Sequence, residues 1–271
     1  MLDVAFAANA GGASYEKTTL PFIEGLGDRL AMWVDHHDHE KHADYSEDPR
    51  FVLKTKAQHG ACPEMVTPAR VEAAGPIDTI CCHVDFDGLC SAAKWIRGGV
   101  EPYPGADDDA RAIDTRLGDP SERARVLDRA LRARPRDEAL RGLMVRYLAD
   151  GAGDAAMYRE FQRVSGALEA MERESKRLSA RYEVRNALAI CDATRREGPY
   201  DKTELLLIGQ RLAPISLVHD ETTVTVAARF DSGIDLVRAL GLNGGMPTRV
   251  SVAAKRLHEV IEVLRGFEPG S

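Results

Sequence analysis

Residues 77–88 decide the fold and read Ile-Asp-Thr-Ile-Cys-Cys-His-Val-Asp-Phe-Asp-Gly. The first half is apolar and has the length of a buried strand, whereas the second half carries an imidazole and two carboxylates. Asp85 and Asp87 are two residues apart, so an extended segment would point both to one side. Gly88 permits a tight turn into a helix that we expect to begin near Ser91.

A second stretch repeats this arrangement nearer the start of the chain. The apolar run 30–34 (LAMWV) leads directly into Asp35, His36 and His37, and 2–7 (LDVAFA) is a third short apolar run. Short apolar strands that alternate with helical segments predict an α/β fold with a doubly wound parallel sheet. Side chains that follow such strands meet at the carboxyl edge of the sheet, where ligands bind.

The rest of the chain changes character twice. Residues 119–198 have the apolar spacing of amphipathic helices with a charged face, and they predict a helical connector between a 1–118 domain and a 199–271 domain. The last part predicts a smaller α+β domain, with strands at 205–208, 213–218 and 222–228 and a closing helix at 250–264.

Composition excludes several classes of protein. The 271 residues carry a formal net charge of −7, which argues against binding to long duplex nucleic acid. No stretch approaches the roughly 18 uncharged apolar residues of a membrane span, and no basic segment of a signal peptide precedes the first apolar run. The cysteines are odd in number, and their spacing along the chain is not that of zinc ligands. We therefore expect a cytoplasmic protein with reduced thiols.

The two polar clusters point to a metal site. Either cluster alone is compatible with a solvated loop or a helix cap. Two clusters that both follow parallel strands would meet, and carboxylates placed this close repel each other unless cations lie between them. Hard oxygen ligands favour Mg²⁺ or Mn²⁺. The sequence therefore predicts a two-metal site.

These residues resemble a known family. Asp35-His36-His37 is similar to the signature that names the DHH phosphoesterase superfamily, and 83–93 (HVDFDGLCSAA) resembles its HxDxDGxxSAA motif. The segments 223–236 and 242–246 resemble a strand and a Gly-rich loop of the DHH-associated substrate domain. The resemblance implies hydrolysis of phosphoester or phosphoanhydride bonds with two divalent cations, most often Mn²⁺, with Mg²⁺ as the alternative.

The resemblance also implies a role for each matching residue. His37 would contact the scissile phosphate, and Asp35 would orient His36. The implied metal ligands are His83 and Asp85 on one ion, His36, Asp87 and Asp114 on the other, and Asp3 between the two. The implied substrate-binding residues are Arg229, Gly244, Gly245 and Arg249, whose guanidinium groups suit phosphate oxygens.

The sequence departs from the family pattern in three places. The Asp-His-His motif precedes the DxD motif here, although the family order is the reverse. Met246 stands where family loops carry a phosphate-contacting histidine. Only Met1 and Leu2 precede Asp3, so the strand that holds Asp3 starts abruptly. The changed motif order most affects the assignment of Asp114, which lies in a loop-like run, 105–118, that is also compatible with a turn. His59, close to the Asp-His-His loop, is a further candidate whose structural role is the simpler interpretation.

Three functions remain open on this basis. The first is a metal-dependent phosphodiesterase that acts on a small nucleotide or a short single-stranded oligonucleotide. The second is a catalytically inactive protein that binds a nucleotide or phosphate on the same fold, and the third is a pyrophosphatase-like hydrolase. The sequence leaves a homodimer open.

Overall fold

The computed structural model describes residues 1–8 and 13–265, which form two compact units. Unit 1 comprises Met1–Phe6 and Thr19–Leu168, and unit 2 comprises the described parts of Ala7–Thr18 and Glu169–Ser271. Helices and strands are mixed in each, so the predicted α/β class is confirmed. None of the described helices combines the length and the apolar character that a bilayer crossing requires.

Unit 1 contains a small parallel sheet and most of the helices. Strand β1 pairs in parallel with β3, and Leu2 forms parallel bridges to Val34 on one side and to Cys82 on the other. The sheet therefore runs in the order β3, β1, 1–3, 81–83. The elements of unit 1 are α1 (Leu20–Leu26), β1 (Trp33–Asp35), β2 (Asp38–His39), β3 (Phe51–Leu53), α2 (Pro68–Ala74), α3 (Phe86–Ile96), α4 (Ala106–Thr115), α5 (Glu122–Ala133), α6 (Glu138–Ala149) and α7 (Ala155–Gly166).

The first apolar run of the sequence contributes only its beginning to this sheet. The amide of Asp3 donates to the carbonyl of Val34 at 2.8 Å, and the amide of Leu2 donates to the carbonyl of Cys81 at 2.9 Å. Asp3 then adopts a φ of 56°, a left-handed conformation that is uncommon for a residue with a Cβ. The strand consequently ends at Asp3 rather than continuing to Ala7. This turn leaves the Asp3 carboxylate at the edge of the sheet.

Helix α3 begins five residues earlier than the sequence predicts. Its first residue is Phe86, and Asp85 caps it by accepting a hydrogen bond from the amide of Gly88 at 3.0 Å. Asp87 therefore lies in the first helical turn and not in an extended segment. Gly88 is needed for close approach, since a Cβ there would lie 2.4 Å from the carbonyl oxygen of His83.

The core of unit 1 forms around α3. Phe86, Leu89 and Ala93 pack with buried residues of α4 to α7, including Leu127 and Met144. Ala92 and Trp95 belong to a second cluster with the sheet residues Leu2 and Val34. Helix α3 thus joins the sheet to the helical layer, and this packing fixes the loop that precedes α3.

Unit 2 is built on a five-stranded sheet in the order β4-β5-β6-β7-β9. The β5–β6 pair is parallel, and the β4–β5, β6–β7 and β7–β9 pairs are antiparallel. Its elements are α8 (Leu168–Ser179), β4 (Glu183–Arg185), β5 (Leu188–Asp192), α9 (Lys202–Gln210), β6 (Ile215–His219), β7 (Thr223–Ala228), α10 (Leu236–Ala239), β8 (Gly244–Gly245), β9 (Arg249–Ala253) and α11 (Leu257–Arg265).

Several local predictions are wrong in this part of the chain. The apolar run 205–208 is not the expected strand, because it lies inside α9, with Asp201 as the helix cap. The segment 119–198 is helical over most of its length, yet 183–185 and 188–192 are strands of the unit 2 sheet. The expected closing helix at 250–264 begins instead at Leu257, after β9. The three-domain division of the chain stays a prediction.

Candidate metal centre

Residues from four parts of unit 1 converge at the carboxyl edge of its parallel sheet. Asp3 ends the first sheet segment, His36 follows β1, Asp87 lies in the first turn of α3, and Asp114 lies in the last turn of α4. The sequence around Asp114 predicts a loop, but the structure places this residue in helix α4. Among the described residues, potential ligand atoms lie within 4.8 Å of one another in three overlapping sets; two of these sets consist of the ligands implied by the sequence, and the third joins Asp3, His36 and His37.

The first set consists of Asp3, His83 and Asp85. His83 Nδ1 lies 2.9 Å from Asp85 Oδ2 and 3.6 Å from Asp3 Oδ2. The side chains of His83 and Asp85 are about half exposed, at 51% and 47%, whereas Asp3 is buried. This set is therefore open to solvent on one side.

The second set consists of His36, Asp87 and Asp114. His36 Nε2 lies 3.3 Å from Asp87 Oδ2 and 3.9 Å from Asp114 Oδ2. It also lies 3.2 Å from Asp3 Oδ1, so Asp3 stands between the two sets. His36 and Asp87 are buried, and only 13% of the Asp114 side chain is exposed.

A lysine that no sequence pattern singles out enters the second set. Lys56 is 3% exposed, its Nζ contacts the Asp114 carboxylate, and the same atom lies 3.2 Å from His36 Nε2. Burial lowers the pKa of Lys56, but Asp114 and Asp87 raise it by more, so the group remains an ammonium ion. No motif marks Lys56, which lies in a polar loop after β3.

The structure changes the partner of Asp35. The resemblance assigned this carboxylate to His36, but Asp35 Oδ1 lies 2.8 Å from His37 Nδ1. Residues 35 and 37 lie on the same side of an extended chain, whereas residue 36 points the other way. His36 instead donates from Nδ1 to the carbonyl oxygen of His59 at 2.9 Å. Asp35 therefore orients His37, the residue expected to meet the phosphate.

Two backbone groups also support the site. The carbonyl of His59 fixes the ring of His36, and the amide of Cys62 donates to both Asp87 oxygens at 3.0 and 3.2 Å. The His59 ring lies 3.2 Å from Glu64, away from the ligand sets. The simpler interpretation of His59 is thus supported for its ring, while its carbonyl has a positioning role that a sequence cannot show.

The charged groups of the two ligand sets shift one another's pKa values, some upward and some downward. Burial raises the pKa of Asp3, but His36 and His83 more than offset this effect, and the pKa falls well below its usual range. Burial and the charge of Asp3 raise the pKa of Asp87. Hydrogen bonding to Asp3 and Asp85 raises the pKa of His83 to about 11. Crowded carboxylates behave in this way when positive charge must balance them.

The pKa of His37 is also raised, because Asp35 outweighs the opposing effect of burial. The shift favours the protonated form of the ring. Its Nδ1 is engaged with Asp35, which leaves Nε2 as the atom that a phosphate oxygen could approach. This arrangement places an oriented imidazole next to the ligand sets.

The residues of the first set fit a divalent cation. Within the described residues, the buried Oδ1 of Asp3 accepts no hydrogen bond, and the same holds for Oδ2 of Asp35 and for Oδ2 of Asp114 in the second set. Buried carboxylate oxygens without donors are uncommon in folded proteins, and a cation would satisfy those of Asp3. Two carboxylates and one imidazole form a donor set that suits Mn²⁺ or Mg²⁺.

The residues expected to bind substrate lie in unit 2. Arg229 follows β7, is largely exposed and pairs with Asp231 at 2.7 Å. Arg249 begins β9, with one guanidinium nitrogen 3.4 Å from the hydroxyl of Thr203. Gly244 and Gly245 form β8, and Gly245 has a φ of 123° that favours glycine. Their part in substrate binding stays a prediction.

Comparisons with known proteins give little further information. No family model matches the sequence, and no curated protein matches it. A solved structure, the pGpG-specific phosphodiesterase PggH from Vibrio cholerae, is 13% identical, with a TM-score of 0.41 over 59% of this chain and 64% of that chain. The chain thus matches less than two thirds of that protein's length. Similarity at this level establishes neither a common fold nor a common activity.

Proposed function

We propose that this protein is a metal-dependent phosphodiesterase of the DHH type, with unit 1 as its doubly wound catalytic domain. The observation that carries the proposal is the convergence of Asp3, His36, His83, Asp85, Asp87 and Asp114 at one edge of a parallel sheet. These residues come from separate parts of the chain. A structural role as caps or solvated loops would not require their ligand atoms to converge.

Each group of the proposed site has its own role in the reaction. A divalent cation held by the first set would supply a Lewis acid that polarises phosphoryl oxygens and lowers the pKa of a bound water. His37, oriented by Asp35, binds the scissile phosphate and stabilises the negative charge that develops on its oxygens. Asp3, the buried member of the first set, would hold the cation together with His83 and Asp85. Arg229, Arg249, Gly244 and Gly245 are the residues of unit 2 for which we propose a part in substrate binding.

The proposed substrate is a small nucleotide or a short single-stranded oligonucleotide. The net charge of −7 disfavours long duplexes, which rely on a broad basic surface. A positive centre at the cluster would attract one or two phosphates without such a surface. The guanidinium groups of the arginines in unit 2 can each donate two hydrogen bonds to the terminal phosphate of a short chain.

Binding without catalysis is the second candidate, and one observation favours it. The ammonium of Lys56 lies in the second ligand set, where the two-cation mechanism needs a metal ion. If hydrolysis requires two divalent ions, a protein with this arrangement would bind a nucleotide without hydrolysing it. Calorimetry with a linear dinucleotide and Mn²⁺ separates the candidates, because a binding protein gives a stable heat of binding and no product.

The direct test is hydrolysis by an Asp85→Asn/Asp87→Asn double variant. We expect the unmodified protein to cleave a chromogenic diester and linear dinucleotides with Mn²⁺, in preference to pyrophosphate, and the double variant to lose about 100-fold or more of this activity. Asp44→Asn/Asp119→Asn is the matched control, since both carboxylates are exposed. Equal activity of both folded double variants would refute the hydrolase proposal.

A further inference from the structure

The second ligand set already contains a cation supplied by the chain. Lys56 Nζ contacts Asp114 Oδ2, and it lies 3.2 Å from His36 Nε2, the nitrogen that a metal would need. These two ligand atoms are themselves 3.9 Å apart. An ion bonded to both would lie between them, at about 2 Å from each. The ammonium group borders that same space and excludes a divalent ion from it.

The surroundings of Lys56 show that this placement is built into the fold. The side chain is 3% exposed, and its own amide approaches Asp38 Oδ2 at 3.4 Å. A buried ammonium is costly unless carboxylates pair with it, and Asp114 provides such a partner. Asp87 and Asp3 add negative charge nearby. The carboxylates therefore stabilise Lys56 in the position where they would otherwise stabilise a metal.

The first set has no such occupant. Among the described residues, no lysine or arginine is paired with Asp3 or Asp85, whose ion-pair partners are histidines. The buried Oδ1 of Asp3 accepts no hydrogen bond, and neither does Oδ2 of Asp114 in the second set, but the Asp114 oxygen is in contact with Lys56 Nζ. The second set therefore already contains an ammonium group beside its unsatisfied carboxylate oxygen, and the first set contains none within the part of the chain that the structure describes.

We infer that Lys56 takes the place of one of the two metal ions, so that each chain holds a single divalent cation, on Asp3, His83 and Asp85. This inference rests on the proposed function for the identity of the site. It changes the expected chemistry, because one divalent ion and one ammonium group would then face the phosphate. Lys56 becomes a positioned positive charge that cannot be removed by a chelator.

The experiment counts Mn²⁺ ions on the full chain. The protein is stripped with a chelator, reloaded with Mn²⁺ and analysed by elemental analysis and titration calorimetry. We expect one ion per chain for the unmodified protein and two for Lys56→Met, which keeps an unbranched side chain one atom shorter and removes its charge. Lys94→Met is the matched control, because Lys94 is a buried lysine paired with Asp107, outside the ligand sets, and we expect it to keep one ion.

Electron paramagnetic resonance of the unmodified protein provides a readout that needs no variant. A single Mn²⁺ gives the hyperfine pattern of an isolated ion, whereas two ions about 3.5–4 Å apart give an exchange-coupled spectrum. A coupled spectrum with two ions would overturn the inference and leave the proposed phosphodiesterase intact. A folded Lys56→Met variant that still holds one ion would also overturn it. Absence of any bound ion would instead refute the metal centre of the proposed function.

Discussion

The two ligand sets are neighbours that share Asp3, yet they differ in access and in charge. The set of Asp3, His83 and Asp85 is half open to solvent and, among the described residues, holds no ammonium or guanidinium group. The set of His36, Asp87 and Asp114 is almost fully buried and contains the ammonium of Lys56. Similar donor atoms therefore lead to different expectations: the open set binds an exchangeable metal ion, and the buried set binds a permanent cation.

The two sets differ in solvent access because their residues lie in different kinds of secondary structure. His83 and Asp85 lie in the short loop between the sheet and α3, where solvent reaches them. Asp87 and Asp114 lie within helices, and the buried side chain of Lys56 contacts Asp114. Burial makes an unpaired carboxylate costly, so the buried set needs a cation in every state of the protein.

The largest effect is expected from Asp3→Asn, because this residue borders both sets. The amide keeps the shape but removes the charge that faces His83 and His36. We expect Mn²⁺ affinity to fall about 100-fold or more and hydrolysis to fall to background. Titration calorimetry and a dinucleotide assay measure the two losses, with Asp119→Asn as an exposed control. Normal Mn²⁺ affinity in this variant would show that the open set is not the metal site.

The next largest effect is expected from Gly88→Ala, which acts through the helix that links the two sets. A Cβ at this position would lie 2.4 Å from the backbone of His83, so the loop has to move. We expect a loss of about 1–3 kcal/mol in the free energy of unfolding, together with weaker metal binding.

Gly142→Ala is the matched control for that variant, because Gly142 also lies within a helix but a Cβ added there would meet no atom within 4 Å. We expect it to be neutral or to stabilise the protein by about 0.5–1 kcal/mol. Denaturant titration measures both variants. Equal stability of the two would show that the His83 loop is free to shift.

The pH dependence of metal binding distinguishes the sets further. Asp3 and Asp85 raise the pKa of His83 to about 11, so the ring is protonated at neutral pH in the metal-free protein. Binding to the open set must displace this proton. We therefore expect Mn²⁺ affinity to increase by up to about tenfold per pH unit between about pH 6 and 8.

Calorimetry in buffers of different ionisation enthalpy measures the protons released. About one proton per bound Mn²⁺ is the expected value, as a single histidine belongs to the open set. Affinity that stays constant across this pH range would mean that His83 is not a ligand.

The smallest effect is expected from Asp35→Asn. Asp35 holds His37 at 2.8 Å and touches neither ligand set directly. The amide would weaken the orientation and the charge of His37, so we expect kcat to fall about tenfold with Mn²⁺ affinity unchanged. Steady-state kinetics and metal titration of the same sample separate the two quantities. A parallel loss of metal binding would place Asp35 in the metal site instead.

The α/β class and the polar clusters at 35–37 and 83–87 follow from a simple sequence pattern, whereas Asp114 is expected only from the family resemblance. Apolar runs that end in Asp-His-His and His-x-Asp-x-Asp place polar groups at the ends of parallel strands, and strands of one sheet bring those ends together. This reasoning depends only on strand direction. It is therefore insensitive to the order of the motifs along the chain.

Details that depend on local conformation are harder to predict. The pattern of 85–88 suits an extended segment, but Asp85 is also a good helix cap, and capping begins α3 at Phe86. The apolar run 205–208 fits either a strand or a buried helix, and the cap at Asp201 favours the helix. The strands within 183–192 are not predicted from the sequence, because the charged residues that precede them have the composition of a helix.

The role of Lys56 cannot be found from the sequence. It lies in a loop without a motif, and only the tertiary structure brings its ammonium group to Asp114 of α4. The contacts of the His59 carbonyl and the Cys62 amide are equally hard to predict, because every residue has these backbone groups and the residue type does not show which of them will bind a side chain. Tertiary packing determines all three.

The central claim, that the open set is the metal site, is tested most directly by anomalous diffraction from crystals soaked in Mn²⁺. Data collected on both sides of the manganese absorption edge locate each ion without reference to activity. The account predicts one strong peak at about 2.0–2.3 Å from side-chain atoms of Asp3, His83 and Asp85. An occupied crystal with no peak at these three residues would contradict it.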